Sequence, residues 1–121
     1  MLAEKIELEN VKSAIEAIEA VGANNTGMMA TRAIHIYLLI HQVPGAQAKF
    51  VKTVYNDIGA EVAISSDSYY EKEGVLTDML VMGTIYQHRE VRRILDGNQQ
   101  TRPILEAIAT VVEESVAFFK D

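Results

Sequence analysis

Two amphipathic segments, one near each end of the chain, constrain the fold more than any other sequence feature. Between residues 3 and 21, Leu8, Val11, Ile15 and Ile18 recur at helical spacing, with acidic residues on the opposite face. Between residues 99 and 119, Thr101 and Pro103 suit a helix start and precede a second apolar stripe of Ile104, Leu105, Ile108, Val111, Val112 and Phe119. Each segment predicts a helix that must bury one side.

A chain of 121 residues is one domain by length and leaves few other elements to cover both stripes. We therefore expect the two helices to pack together, within the chain or across a homodimer. In the dimeric interpretation, residues 3–21 and 99–121 are dimerisation helices that flank a core of residues 28–98. The predicted interface residues are Val11, Ile15, Ile18, Ile104, Ile108, Val111 and Val112.

Composition and charge exclude several classes of protein. A net charge of −6 excludes a uniformly basic nucleic-acid binder, although a local basic patch remains compatible with it. The absence of cysteine excludes disulfides, a thiolate nucleophile and a zinc site built on sulfur. Apolar runs are far shorter than the ~20 residues of a membrane span, and the acidic N-terminus is unlike a signal peptide. We expect a cytoplasmic protein without a membrane partner.

The middle of the chain is ambiguous between helix and strand. Residues 28–43 are apolar enough for a buried helix or a strand, and residues 60–70 fit a strand or a short helix. Residues 46–58 predict a helix closed by Gly59, and residues 96–98 predict a break. Gly83 and Thr84 predict a turn before a strand around Val91.

Positive charge is concentrated in two parts of an otherwise acidic chain. Residues 31–60 carry three cations and one acid, and residues 86–102 carry four cations and two acids, so each stretch has a net charge of +2. These stretches are interpreted either as ordinary solvated surface or as a contact with an acidic partner through residues 49–52 and 89–93.

Interpreted as a mainly α chain, the order of elements resembles the MarR and SarA winged-helix regulators. The segment Tyr70-Glu71-Lys72-Glu73-Gly74-Val75-Leu76 resembles the exit of that family's recognition helix, and residues 88–95 occupy the place of its charged wing. The resemblance implies a cytoplasmic homodimer that binds double-stranded DNA and regulates transcription, with a recognition helix at about 60–73. It does not indicate the operator or an effector.

This resemblance assigns the DNA contacts to three groups of residues. The wing would place Arg89, Arg92 and Arg93 on phosphates or in the minor groove, and Lys49 and Lys52 would hold flanking phosphates. The recognition helix would present Ser65, Ser66, Ser68 and Tyr69 to the major groove.

Interpreted as an α+β sandwich with an extra N-terminal helix, residues 33–119 resemble the histidine-containing phosphocarrier protein HPr. Lys49-Phe50-Val51-Lys52 and the following residues 61–65 are similar to its first helix and second strand, and residues 75–82 to its short second helix. Val43 stands near the position of the phosphorylated histidine. The resemblance therefore implies a non-catalytic module that binds a protein through residues 42–50.

No catalytic or cofactor pattern is present in the sequence. His35, His41 and His88 lack metal-ligand spacing, and the seven glycines form no phosphate-binding loop. Asp67 and Ser68 beside two tyrosines do not make a nucleophile–base–orienter set. We expect a protein that is not an enzyme and holds neither cofactor nor metal.

Overall fold

A three-stranded antiparallel sheet forms the framework of residues 1–118, the part of the chain that the computed structural model describes. Strand β1 spans His35–Pro44, β2 spans Glu61–Ala63 and β3 spans Leu76–Thr84. The spatial order is β1-β3-β2, and both outer strands pair antiparallel with the central β3. The outer strands are therefore parallel to each other, and helix α3 (Gly45–Asp57) begins the crossover that connects them.

Five further helices lie in the described residues. They are α1 (Val11–Ala20), α2 (Thr26–Ala33), α4 (Ser66–Tyr69), α5 (Ile85–Ile94) and α6 (Arg102–Phe118). Helices α3, α5 and α6 contact the sheet, and α2 contacts β3 as well as α5. Helix α1 packs against α2.

The prediction of a mainly α winged helix is wrong. The domain is α/β, with 52% helix and 19% strand. The ambiguous segment 28–43 divides at Ile34: α2 ends just before it, and β1 follows. Alternation decides the second half, because Leu38 and Val43 face the core whereas Tyr37 and Leu39 are exposed.

Each family resemblance also assigned the wrong structure to part of residues 60–95. The predicted recognition helix at 60–73 consists of β2 and the one-turn α4, and the helix that the HPr resemblance places at 75–82 is β3. The predicted wing is a helix. Thr84 ends β3 and begins α5, since its hydroxyl accepts the Gln87 N–H and the Gln87 side chain accepts the Thr84 N–H.

Several sequence predictions match observed elements. The helix predicted at 46–58 is α3, and the break at 96–98 separates α5 from α6. Helix α1 is shorter than the predicted 3–21, because a capping box between Asn10 and Ser13 starts it at Val11. Phe119, assigned to the C-terminal stripe, lies outside the described residues.

The apolar core lies between the sheet and the helices. Its largest fully buried side chains come from α3, the inner face of the strands, α5 and α6, and they include Tyr55, Met79, Ile85, Ile108 and Val81. From Leu76 to Val81, strand β3 alternates between exposed and buried residues. The sheet therefore has one covered face and one open face.

Gly45, at the start of α3, sits too close to α4 to carry a side chain. A Cβ at this position would lie 2.5 Å from the Ser68 hydroxyl and 3.1 Å from the Val75 carbonyl oxygen. The Ser68 hydroxyl is itself buried and has no hydrogen-bond partner among the described residues.

We expect Gly45→Ala to lower the free energy of unfolding by about 1–3 kcal/mol through overpacking. Ser68→Ala removes the nearer obstacle, so the same glycine substitution should cost less in that background. Urea unfolding of the four members of this double-mutant cycle measures the coupling. Equal costs of Gly45→Ala in both backgrounds would contradict the assigned contact.

Candidate functional site

The three arginines assigned to the wing lie on α5, and two of them are held by carboxylates. Arg89 donates two hydrogen bonds of 2.9 Å to Glu113 on α6. This bidentate pairing lowers the pKa of Glu113. Arg93 donates to Glu90 one turn earlier on the same helix and lowers the pKa of that carboxyl. Arg92 lines a shallow polar pocket together with Arg102, Asp96 and Glu106, whose opposite charges balance.

The two lysines assigned to flanking phosphates are also paired. Lys49 lies 3.4 Å from Glu71 and over the ring of Tyr69. Lys52 donates to Glu61 at 2.6 Å and to the Val62 carbonyl oxygen at 2.7 Å. Hydrogen bonds to Glu61, first from the Asn56 side chain and then from Lys52, lower the pKa of that carboxyl to about 2.

The residues assigned to the major groove lie in and beside α4, which packs against α3. Ser65 caps the turn, Ser68 is buried, and Tyr69 packs edge-to-face on Tyr70. Ser66 is exposed in the first turn. The arginines lie on α5, so the structure places the two groups of predicted DNA contacts on different helices.

The residues assigned to a helical dimer interface are mostly used inside the chain. Ile104, Ile108 and Val112 are buried in the core, and the α1 residues of the stripe, Val11, Ile15 and Ile18, pack against it. Val111 is 41% exposed and points away from this packing. The apolar stripe of α6 is therefore largely covered by the protein itself.

The open face of the sheet is the most conspicuous apolar surface. We define it by the outward side chains His35, Tyr37, Leu39, His41, Glu61, Ala63, Leu76, Asp78, Leu80 and Met82. Tyr37 is 66% exposed, Leu39 54% and Leu80 39%. The strand register sets Tyr37 opposite Met82 and Leu39 opposite Leu80, so these four side chains form one cluster across β1 and the central strand.

Charge on the open face is confined to its periphery. Glu61 binds Lys52 and Asn56, as described above. Asp78 lies 3.3 Å from the His41 ring and accepts the N–H of Gln42, a residue held at φ 55° in the β-bulge. Within the described residues, no lysine or arginine points from this face. The centre is apolar; at the margin Lys52 neutralises Glu61, whereas His41 offsets the charge of Asp78 only when it is protonated.

A buried polar pair on the covered side of the sheet could not be recognised from sequence. The Tyr55 hydroxyl lies 2.9 Å from Nδ1 of His88, whose Nε2 lies 2.9 Å from the Ile36 carbonyl oxygen. Because a carbonyl only accepts, Nε2 carries the proton and Nδ1 accepts from the tyrosine. Desolvation lowers the pKa of His88 and raises that of Tyr55. The pair is enclosed and satisfied, which is typical of a structural network.

Nothing in the described part of the chain forms a metal centre or a membrane span. No three of its histidine and acidic side chains are grouped so that they could hold an ion. None of its helices combines the length and the apolar character needed to cross a bilayer.

The fold and its surface define a class: an α/β sandwich whose sheet is covered by helices on one side and open on the other. Comparisons with protein-family models, curated protein sequences and solved structures found no match to this chain.

Proposed function

We propose that the protein is a non-catalytic interaction module whose open sheet face contacts a second copy of the chain. The observation that carries the proposal is the apolar cluster in the middle of the sheet, in which Tyr37, Leu39 and Leu80 are exposed and Met82 is half-buried. Contiguous apolar patches of this kind, ringed by polar groups, are typical of protein–protein contact sites. Leu80 belongs to the central strand, so an isolated monomer would expose a leucine in the middle of its sheet to water.

The size of the face suits a modest dimer. Nine residues of β3 extend roughly 30 Å, and three strands are about 10–15 Å wide. Stacking two such faces covers roughly 300–450 Å² on each copy, or about 600–900 Å² in total, which is below the size of a stable specific interface and suits a weak one. We therefore expect association at micromolar rather than nanomolar concentrations.

The charge of the face favours a second copy over nucleic acid. Sheets that bind single-stranded RNA combine stacked aromatic side chains with neighbouring cations. Tyr37 stacks only on His35, and the carboxylates of Glu61 and Asp78 lie at the margin. Neither carboxylate belongs to the apolar cluster through which two copies would stack.

Sedimentation equilibrium of the full chain tests the proposal. At about 100 µM we expect the wild type to exceed its monomer mass of 13.4 kDa, and Leu80→Asp to remove at least half of that excess over the monomer mass. Val111→Asp is the matched control, because Val111 is 41% exposed against 39% for Leu80 and lies on the helical side. Both variants should keep the wild-type circular dichroism spectrum.

Three outcomes would overturn the proposal. One is a monomeric wild type at this concentration. Another is Leu80→Asp with the wild-type mass. The third is loss of association in Val111→Asp alone, which would instead favour a contact through α6.

A further inference from the structure

The outer edge of β1 differs from the other edge of the sheet. At the opposite edge, β2 is only three residues long and begins with a charged glutamate, both of which discourage pairing with another chain. Strand β1 is ten residues long, and its regular register with β3 runs from His35 to Ile40. Residues 35–41 contain no lysine, arginine, aspartate, glutamate or proline.

The sequence of this edge is close to a palindrome. It reads His35-Ile36-Tyr37-Leu38-Leu39-Ile40-His41, and its centre is Leu38. An antiparallel pair formed by two copies of this segment about a two-fold axis at Leu38 sets each isoleucine opposite an isoleucine. It also sets each histidine opposite a histidine, and Tyr37 opposite Leu39 of the second copy. Such a pairing is isologous, as a two-fold interface requires.

From this edge and its pattern we infer that β1 pairs antiparallel with β1 of a second copy in a register centred on Leu38. The two sheets then form one six-stranded sheet. Residues that point outward in one copy lie opposite residues that point outward in the other copy, because this register keeps the alternation of side chains between the two faces of the sheet. The open faces of the two copies become one continuous surface that includes Tyr37 and Leu39 of both.

The inferred contact goes beyond the proposed stacking of faces and does not depend on it. Edge pairing brings opposed Cα atoms to roughly 4.5–5.5 Å, whereas stacked sheets lie about 10 Å apart. Only the first separation permits a disulfide. The absence of native cysteine allows single introduced thiols to report on the register.

Disulfide cross-linking of the full chain tests the register. We expect an equimolar mixture of the Y37C and L39C proteins to form a mixed disulfide dimer under mild oxidation. Each protein alone should cross-link several-fold less, because in this register equal positions lie diagonally across the axis, at about 7–8 Å. Both positions are exposed, so the fold should survive, and a wild-type circular dichroism spectrum of each variant checks this.

A matched control uses A63C, which lies on the same open face but at the β2 edge. Mixed with Y37C, it should not form the heterodimer in appreciable yield. Absence of cross-linking between Y37C and L39C, or equal yields for Y37C alone and for the mixture, would overturn the inferred register. Because Leu80→Asp tests stacking by mass and the thiols test the edge by covalent capture, failure of one proposal is distinguishable from failure of the other.

Discussion

Ile108→Ala is expected to lower the free energy of unfolding by about 2–5 kcal/mol, whereas Val111→Ala should change it by less than about 1 kcal/mol. Ile108 is 1% exposed and lies in the core between α6 and the rest of the domain, so its truncation leaves a cavity. Val111 is three residues further along α6 and 41% exposed.

Urea unfolding in the Leu80→Asp background measures these costs without a contribution from stacking of the open faces. Similar costs for the two substitutions would contradict the placement of α6. A large change in mass without a change in stability for Ile108→Ala would indicate instead that this stripe contacts a second copy.

Tyr55→Phe is expected to lower the free energy of unfolding by about 1–3 kcal/mol, because it leaves Nδ1 of the buried His88 without a hydrogen-bond donor. Loss of the hydroxyl changes little volume, so the cost reports mainly on the hydrogen bond. The double variant Tyr55→Phe, His88→Leu should lose less stability than the sum of the losses in the two single variants, since no unpaired ring nitrogen remains. Additive losses in thermal or urea unfolding would count against the network.

The same histidine makes stability depend on pH. Its pKa is lowered in the folded protein, so below a pH of about 6.5 the unfolded chain binds a proton that the folded protein resists. The free energy of unfolding should therefore fall between pH 6.5 and pH 5. His88→Gln should flatten this part of the profile. The carboxylates that have lowered pKa values, such as Glu61, lose their contribution to the free energy of unfolding only at lower pH.

The sequence predicts those elements whose apolar residues recur with one clear period and whose ends carry capping or turn residues. Helix α3, the start of α6 and the break at 96–98 were recognisable from their apolar spacing and turn residues. Residues 28–43 and 60–95 were not recognisable, because their short apolar runs fit the period of a helix as well as that of a strand. In such runs, pairing with a neighbouring strand decides between the two structures. Leu76–Thr84 forms a strand because β1 and β2 flank it, and both partners are distant in the chain.

The candidate site was missed for a related reason. Tyr37, Leu39, Leu80 and Met82 look like core residues in the sequence, and only the layering of the fold shows that no helix in the described residues covers them. Conversely, the cations Arg89 and Lys52 looked available because their partners, Glu113 and Glu61, lie 24 and 9 positions away. The alternation of β3 is one of burial and not of residue type, because residues 79–82 are all apolar, so the sequence did not show which side of the strand is exposed.

The central claim, that a second copy covers the open sheet face, is tested most directly by isotope-filtered NMR on an equal mixture of ¹³C-labelled and unlabelled protein at about 100 µM. The predicted result is a set of intermolecular contacts from the methyl groups of Leu80 and Met82 to protons of Tyr37, Leu39 or the same residues of the unlabelled copy. Intermolecular contacts confined to α1 and α6, or none at this concentration, would contradict the claim.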